Sequence, residues 1–447
     1  MRSPARVGLL FGGLLAPTAL GISAPAVALP ELARDLGLPS SQTAWVLAAY
    51  ALALAIGTAL SGQFGAVRGL RQTLIVGVLL VAVGSAIAAA SPVFGLLVLG
   101  RSVQGAGAGA VTIAAMGTIS TTFSSADASR ALGSLTAVVA GVSGAGSLIG
   151  GALTDALGWR AVVALPTLSL LFLPAALGLA PSQPSAERSI DGRGALLVTI
   201  VAASFVGLLQ SRSTGLGATV VAGLVVVVVT GAVLLARHAR VRPDGFLPDA
   251  LVRNGPFLRH ALVGFTLFAA YLAMLFAAPL MLASRFGWGP LTIGLVLLPA
   301  AVCAVATSRV VPLVLPRAGT ARVAMTLTLL SAAGLLVAGA SQTRVATVVG
   351  LAAAVSGFAG AQVALVGAVP ALVPAELRTT AVAVFNLVFI AGGSVGSAAA
   401  GGLADAFSLP VAVAAVAVLP VAGALIARTL TSVRHAPFLP PKAATGR

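Results

Sequence analysis

The sequence predicts an all-α integral membrane protein of about fourteen transmembrane helices. Three observations predict it: scarce charge, apolar runs long enough to span a bilayer, and arginines spread unevenly between the two ends of those runs. Of 447 residues, 59% are hydrophobic and only 8% are charged. A soluble domain carries about 25% charged residues, so this chain cannot cover a water-facing surface of its size. Lipid removes that requirement but forces every backbone group to find its partner inside the segment, which leaves helices or a closed barrel. The runs Val220 to Ala236 and Val411 to Ala427 lack the alternation of barrel strands and exceed the ~10 residues such strands need.

The net charge of +16 does not indicate a nucleic-acid partner, because the basic residues stand singly between apolar runs. Cys303 is the single cysteine, which excludes an internal disulfide and any cysteine metal cluster. No metal or cofactor is expected. Arg2 and Arg6 before an apolar run imitate a signal peptide, but the run Val7 to Leu29 is longer than an h-region of ~7–15 residues. It reads as an uncleaved first helix.

Spans are predicted near 7–29, 43–65, 72–90, 93–118, 131–154, 161–180, 194–210, 217–236, 260–283, 290–309, 322–340, 345–369, 379–403 and 410–430. Turn residues mark the breaks, among them Pro39-Ser40, Ser91-Pro92, Pro243-Asp244-Gly245 and Gly289-Pro290. The positive-inside rule tests the count. With both termini cytoplasmic, only Arg34, Arg160, Arg212, Arg285 and Arg344 of the 26 basic residues fall outside, and Arg101 lies within a span. Dropping one helix inverts every later loop and destroys that asymmetry. Dropping a pair does not, so twelve versus fourteen rests on the runs 194–210 and 217–236.

The chain also echoes itself. Gly151-Ala-Leu-Thr-Asp155-Ala ends helix 5, and Gly401-Gly-Leu-Ala-Asp405-Ala ends helix 13. Arg68-Gly69-Leu-Arg71 follows helix 2, and Arg317-Ala-Gly319-Thr-Ala-Arg322 follows helix 10. Equivalent elements on the same membrane side imply a parallel repeat. The expected organisation is a six-helix bundle over 1–180, two inserted helices with their linkers over 181–259, a second six-helix bundle over 260–430, and a cytoplasmic tail over 431–447.

Arg101 costs at least ~2.5 kcal/mol at the centre of a span. Either it snorkels to the outer interface, or it is a cavity-facing cation that binds substrate or tunes a proton site. Gln104 shares its helix face, and Gly105, Gly107 and Gly109 form a small-residue stripe against which another helix can lie. Tyr50, Tyr271, Gln362, Asn386 and Phe389 are the other polar or aromatic residues at the depth of a substrate site; each can equally serve helix packing. Trp45, Trp159 and Trp288 fall at outer helix ends, where interfacial anchoring is expected.

Arg101-Ser-Val-Gln104-Gly105-Ala-Gly107-Ala resembles the helix 4 signature R-x-x-Q-G-x-G-A of major facilitator drug:proton antiporters. Ala28-Leu29-Pro30 through Gly37 and Asp191-Gly-Arg-Gly194 are similar to motifs of the fourteen-helix branch, which includes Gram-positive tetracycline and multidrug exporters. Gly144, Gly146, Gly150 and Gly151 resemble that family's glycine-rich antiporter motif in helix 5. The resemblance implies the major facilitator fold, alternating access, a small-molecule substrate, a monomer in a bacterial plasma membrane, and conformational loops built on Gly62, Gly69, Arg71, Arg317, Gly319 and Arg322.

The chain departs from that pattern where charge matters. The loop aspartate of the family is Ala66 here, and acids of helices 1, 5 and 13 align with Gly21, Ser143 and Gly393. Glu31, Asp35, Asp155 and Asp405 sit at outer helix ends, and Asp127, Glu187, Asp191, Asp244, Asp249 and Glu376 on the inner side, so no carboxylate lies mid-membrane. Proton coupling needs a titratable group reachable from both sides. Either a rim carboxylate serves, or the protein is an uncoupled or nutrient-type facilitator, or it has lost activity. The absence of fixed charge besides Arg101 favours an uncharged, weakly cationic or anionic amphipathic substrate over a sugar phosphate. A membrane enzyme is a remote third class, since the loop Arg237 to Arg259 holds no acid–base constellation.

The topology is testable by single-cysteine labelling in a Cys303→Ala background. A cysteine at Gly245 should react only from the side of the termini; labelling from the other side refutes the fourteen-helix topology.

Overall fold

In the computed structural model, residues 3–182, 191–209, 211, 217–242, 248–341, 343–374 and 377–430 are described. Arg2, Glu187, Arg188, Arg212, Asp244, Glu376 and the tail 431–447 lie outside them. Among the described residues all regular structure is helical. Twelve helices are long and apolar enough to cross a membrane, and a bent pair makes a thirteenth.

The chain runs through α1 (Pro4–Leu36), α2 (Ser40–Arg68), α3 (Leu70–Ala89) and α4 (Phe94–Thr122). Next comes α5, made of Ser125–Gly144 and Gly146–Leu157, whose spanning parts meet at 47°. The sixth span, α6 (Trp159–Leu177), passes through a 3₁₀ stretch at Leu165–Phe172. Pro166 and Pro174 lie at its two ends and remove backbone donors there. The insert contributes α7 (Gly192–Leu209) and α8 (Ala218–Val241). The second half holds α9 (Gly255–Phe286), α10 (Pro290–Ala318), α11 (Thr320–Ser341), α12 (Arg344–Ala368), α13 (Arg378–Ala406) and α14 (Leu409–Ala427). All fourteen predicted segments are helical, most of them extending a turn or so past the predicted ends. The seventh differs in being a short apolar helix of 18 residues.

The helices pack in two groups. α4 lies against α2 and α3, and α1 against α5; in the second half, α9 packs on α12 and α13, and α11 on α12 and α14. α2 against α13 and α5 against α10 join the halves. α7 packs on α8 and also touches α2 and α13, covering that seam, while α8 exposes Val225, Val226, Val229, Val233 and Leu234. Exposed aliphatic side chains on a spanning helix are what lipid solvates.

The repeat reaches individual backbone angles. Gly37 and Gly287 end α1 and α9 at φ 62° and 65°, and Gly69 and Gly319 follow α2 and α10 at φ 87° and 77°. One offset in sequence relates both pairs. Only glycine adopts such angles at no steric cost. Trp159 corrects the expected interfacial role: it is buried, and its Nε1 donates to Asp35 at 2.8 Å.

Inside the bundles, helices approach through residues lacking side chains. A Cβ on Gly105 would collide with the Tyr50 carbonyl, one on Gly107 with the Gly77 carbonyl, and one on Gly109 with the Thr58 nitrogen. Gly105→Leu should therefore destabilise the protein by about 1–3 kcal/mol through overpacking, read as a lower melting midpoint in detergent. Gly133→Ala, whose added Cβ meets nothing within 4 Å, is the control; equal midpoints for the two variants would refute this account of the α2–α4 contact.

Candidate functional site

Arg101 on α4 is fully buried. Its Nε donates to the Val46 carbonyl of α2 at 2.9 Å, and its terminal nitrogens donate to the Gly21 carbonyl of α1 and to Gln104 Oε1. The guanidinium carbon lies 4.3 Å from the Tyr50 ring centroid. Tyr50 is itself buried and donates to the Thr18 carbonyl at 2.6 Å. Gln104, one turn along, donates to Ser85 Oγ on α3 at 2.6 Å and to the Val163 carbonyl of α6 at 2.9 Å. Three side chains thus tie together α1, α2, α3, α4 and α6.

No carboxylate forms a salt bridge to Arg101 among the described residues. Helix carbonyls, an amide oxygen and a π-face replace it, all of which favour a cation in low dielectric. Gly21 contributes to this arrangement in two ways. Its carbonyl accepts from the guanidinium, and the space a side chain would enter holds the Tyr50 ring, whose hydroxyl would lie 2.7 Å from an added Cβ.

The second half presents a different surface. Phe268 and Tyr271 on α9, Phe358 on α12, and Phe385 and Phe389 on α13 form one aromatic cluster. Tyr271 stacks on Phe358 at 4.8 Å, Phe358 meets Phe268 at 4.9 Å, and Phe268 stacks on Phe389 at 5.3 Å. Phe385 and Phe389 are buried, whereas Tyr271, Phe358, Gln362 and Asn386 are only partly so. Phe358 and Gln362 stand one turn apart on the same helix face. Gln362, Asn386 and the Tyr271 hydroxyl make no side-chain hydrogen bond among the described residues. The predicted site residues therefore fall into two groups: Arg101, Gln104 and Tyr50 inside the first bundle, and Tyr271, Gln362 and Asn386 beside an aromatic wall in the second.

The motif glycines divide as well. Added Cβ atoms on Gly146 and Gly150 would strike Ser23 and Ala24 of α1, and one on Gly151 would strike Pro290 of α10. Gly144 has only Ala301 at 3.7 Å, an ordinary contact, because it precedes the bend of α5. Of the residues expected in conformational loops, only Gly69 and Gly319 lie at turns. Gly62, Arg71, Arg317 and Arg322 lie inside α2, α3, α10 and α11, because those helices run almost continuously through the two turns. All four are exposed, and the Arg71 backbone N–H donates to the Pro181 carbonyl at 3.0 Å. Where Ala66 leaves the loop without its acid, the insert supplies one nearby. The Asp191 backbone N–H donates to Gln63 Oε1 at 3.0 Å, and His238 Nε2 on α8 lies 2.8 Å from the Asp191 carboxylate. The sequence signals this tie only as a motif opening helix 7, because its partners are 47 and 128 positions away.

Comparison with known proteins shows the family and the fold. A family model described as Major Facilitator Superfamily matches residues 9–365. The puromycin resistance protein pur8 of Streptomyces alboniger is 30% identical over 65% of this chain and 59% of its own length. The tetracenomycin C resistance and export protein of Streptomyces glaucescens is 29% identical over 63% of this chain and 53% of its own. The chain thus spans a little over half the length of these relatives. A crystal structure of an auto-inhibited POT family peptide transporter superposes with TM-score 0.70 at 15% identity, covering 97% of this chain and 98% of that one, which shows the shared fold.

Arg101→Lys keeps the charge but not the planar fork that reaches Gly21, Val46 and Gln104 together. Losing one charge-assisted bond costs about 1.5–3 kcal/mol. Transport normalised to protein in the membrane should fall about 10-fold or more for Arg101→Lys and further for Arg101→Ala. Wild-type transport by both variants would refute the positioning role.

Proposed function

Because this chain belongs to the major facilitator superfamily, we propose that it exports a drug or natural product by alternating access, from the cytoplasm across a bacterial plasma membrane. It is a multi-pass membrane transporter of a small molecule, not an enzyme. The carrying observation is the partly exposed aromatic wall of Tyr271 and Phe358, on helices that carry, or pack against those carrying, the half-buried amides of Gln362 and Asn386. Such a surface stacks planar rings and offers neutral hydrogen bonds without a fixed charge. The fitting substrate is an uncharged or weakly cationic amphipathic molecule with aromatic character. Two relatives whose names concern resistance to puromycin and to tetracenomycin C support that class. The arginine asymmetry supports a cytoplasmic side for both termini, and the unit proposed to carry out transport is a monomer.

A second reading, uncoupled facilitation, is favoured by one observation. The positions where related antiporters carry membrane acids are Gly21, Ser143 and Gly393, and a phenylalanine ring fills the space beside Gly393. Protons remain the coupling ion under the export reading.

Purified protein in proteoliposomes, presented with planar antibiotics and dyes, tests both readings. Phe358→Ala should raise the apparent KM about 2- to 12-fold by removing a stacking face, with a smaller change in maximal rate. Loss of accumulation on collapsing the pH gradient selects coupled export; equilibration that ignores the gradient selects facilitation. Transport of no compound above protein-free vesicles would reject the export proposal.

A further inference from the structure

The two ends that echo in sequence, Gly151 to Asp155 and Gly401 to Asp405, also make the same contact in space. At the end of α5, the Asp155 carboxylate accepts from the Leu291 backbone N–H at 3.2 Å, in the first turn of α10. At the end of α13, the Asp405 carboxylate accepts from the Ser40 and Ser41 backbone N–H groups, each at 3.0 Å, in the first turn of α2. Each aspartate thus belongs to one half of the repeat and caps a helix of the other. Four residues earlier, each motif has a glycine lying against that same first turn. A Cβ on Gly151 would strike the Pro290 carbonyl, and one on Gly401 would lie 2.9 Å from the Ser40 carbonyl.

The first donors of a helix have no partner within it, and the N-terminus carries partial positive charge. Neither α2 nor α10 is capped by a side chain of its own N-cap residue, since those residues are Pro39 and Gly289. The opposite half supplies the missing acceptor. Gly294 of α10 packs tightly on Ser147, but added Cβ atoms on Gly141 and Gly133, farther along α5, meet nothing within 4 Å.

We infer that Gly151-x-x-x-Asp155 and Gly401-x-x-x-Asp405 are paired latches that hold the Asp155–Asp405 end of the transport pathway shut. The glycine lets the partner backbone come close enough for the carboxylate to reach its amides. Opening that end separates α5 from α10 and α13 from α2, so both caps break in every transport cycle. Asp155 and Asp405 are positioning residues: they set the balance between the closed and open ends without touching substrate.

The test is the rate at which a membrane-impermeant maleimide, added from the Asp155–Asp405 side, labels Ser41→Cys in a Cys303→Ala background. Ser41 is fully buried beside the latch and its hydroxyl is unpartnered, so the cysteine costs little and reacts only when that end opens. Losing a cap shifts such an equilibrium about fivefold. Asp155→Ala and Asp405→Ala should each speed labelling about fivefold, and the double variant about 25-fold if the two act independently. An asparagine keeps one acceptor oxygen, so Asp155→Asn, which needs only one, should stay within about twofold of the parent, whereas Asp405→Asn loses one of its two bonds and should fall between the parent and Asp405→Ala. Parental rates in both alanine variants, at normal membrane levels, would overturn the latch. Asparagine variants as fast as the alanine ones would overturn capping as its cause. The readout needs no substrate, so it stands or falls separately from the export proposal.

Discussion

Close approach of helix backbones underlies everything else in this protein. In lipid there is no hydrophobic drive between apolar helices, so association relies on packing and on polar contacts made at short range. Glycines provide that range where α4 meets α2 and α3, where α5 meets α1 and α10, and where α13 meets α9 and α2. The polar groups follow from it. Arg101 reaches the Gly21 and Val46 carbonyls because α1 and α2 lie close to α4, and Asp155 and Asp405 reach amides of the opposite half because Gly151 and Gly401 let them.

The Arg101 network also bears on how a charge survives in the membrane without a counter-charge. Helix carbonyls already accept their own intrahelical bond and have a second lone pair to give. Using them spares the bundle a second buried ion and its desolvation. It also fixes the charge at this site: among the described residues, nothing in direct contact with the guanidinium changes charge near neutral pH. Any coupling to protons has to arise elsewhere, whereas the aromatic wall of the second half is free to specialise in recognition.

Much of the fold was legible in the sequence, for a physical reason. The hydrocarbon core sets span length, so all fourteen segments were placed, most ends to within a turn or two, although α10 runs from Pro290 to Ala318, well past its expected end. The bend of α5 was not legible, because Gly144-Ala145-Gly146 resembles every other small-residue run in this composition. Candidate site residues were legible as residue types but not as assemblies. Tyr50 and Tyr271 looked alike in sequence, yet one lies buried under Arg101 and the other stands partly open beside Phe358. The repeated Gly-Leu-Asp ends were visible as an echo of topology. Their contact across the halves depends on chain separations of 136 and 365 residues, which no local pattern encodes.

The position of α7 breaks the twofold likeness of the halves in one respect. It lies over the α2–α13 seam, with Val198 beside Ala55 and Leu387, and Val206 beside Leu52 and Val395. The α5–α10 seam has no such cover among the described residues. Seen from within the bilayer, the molecule has a walled flank and a bare one. A compound dissolved among the lipid tails meets the α5–α10 flank directly, whereas on the other side it must first pass a helix. The insert thus gives a pseudosymmetric transporter a handed relation to the membrane around it.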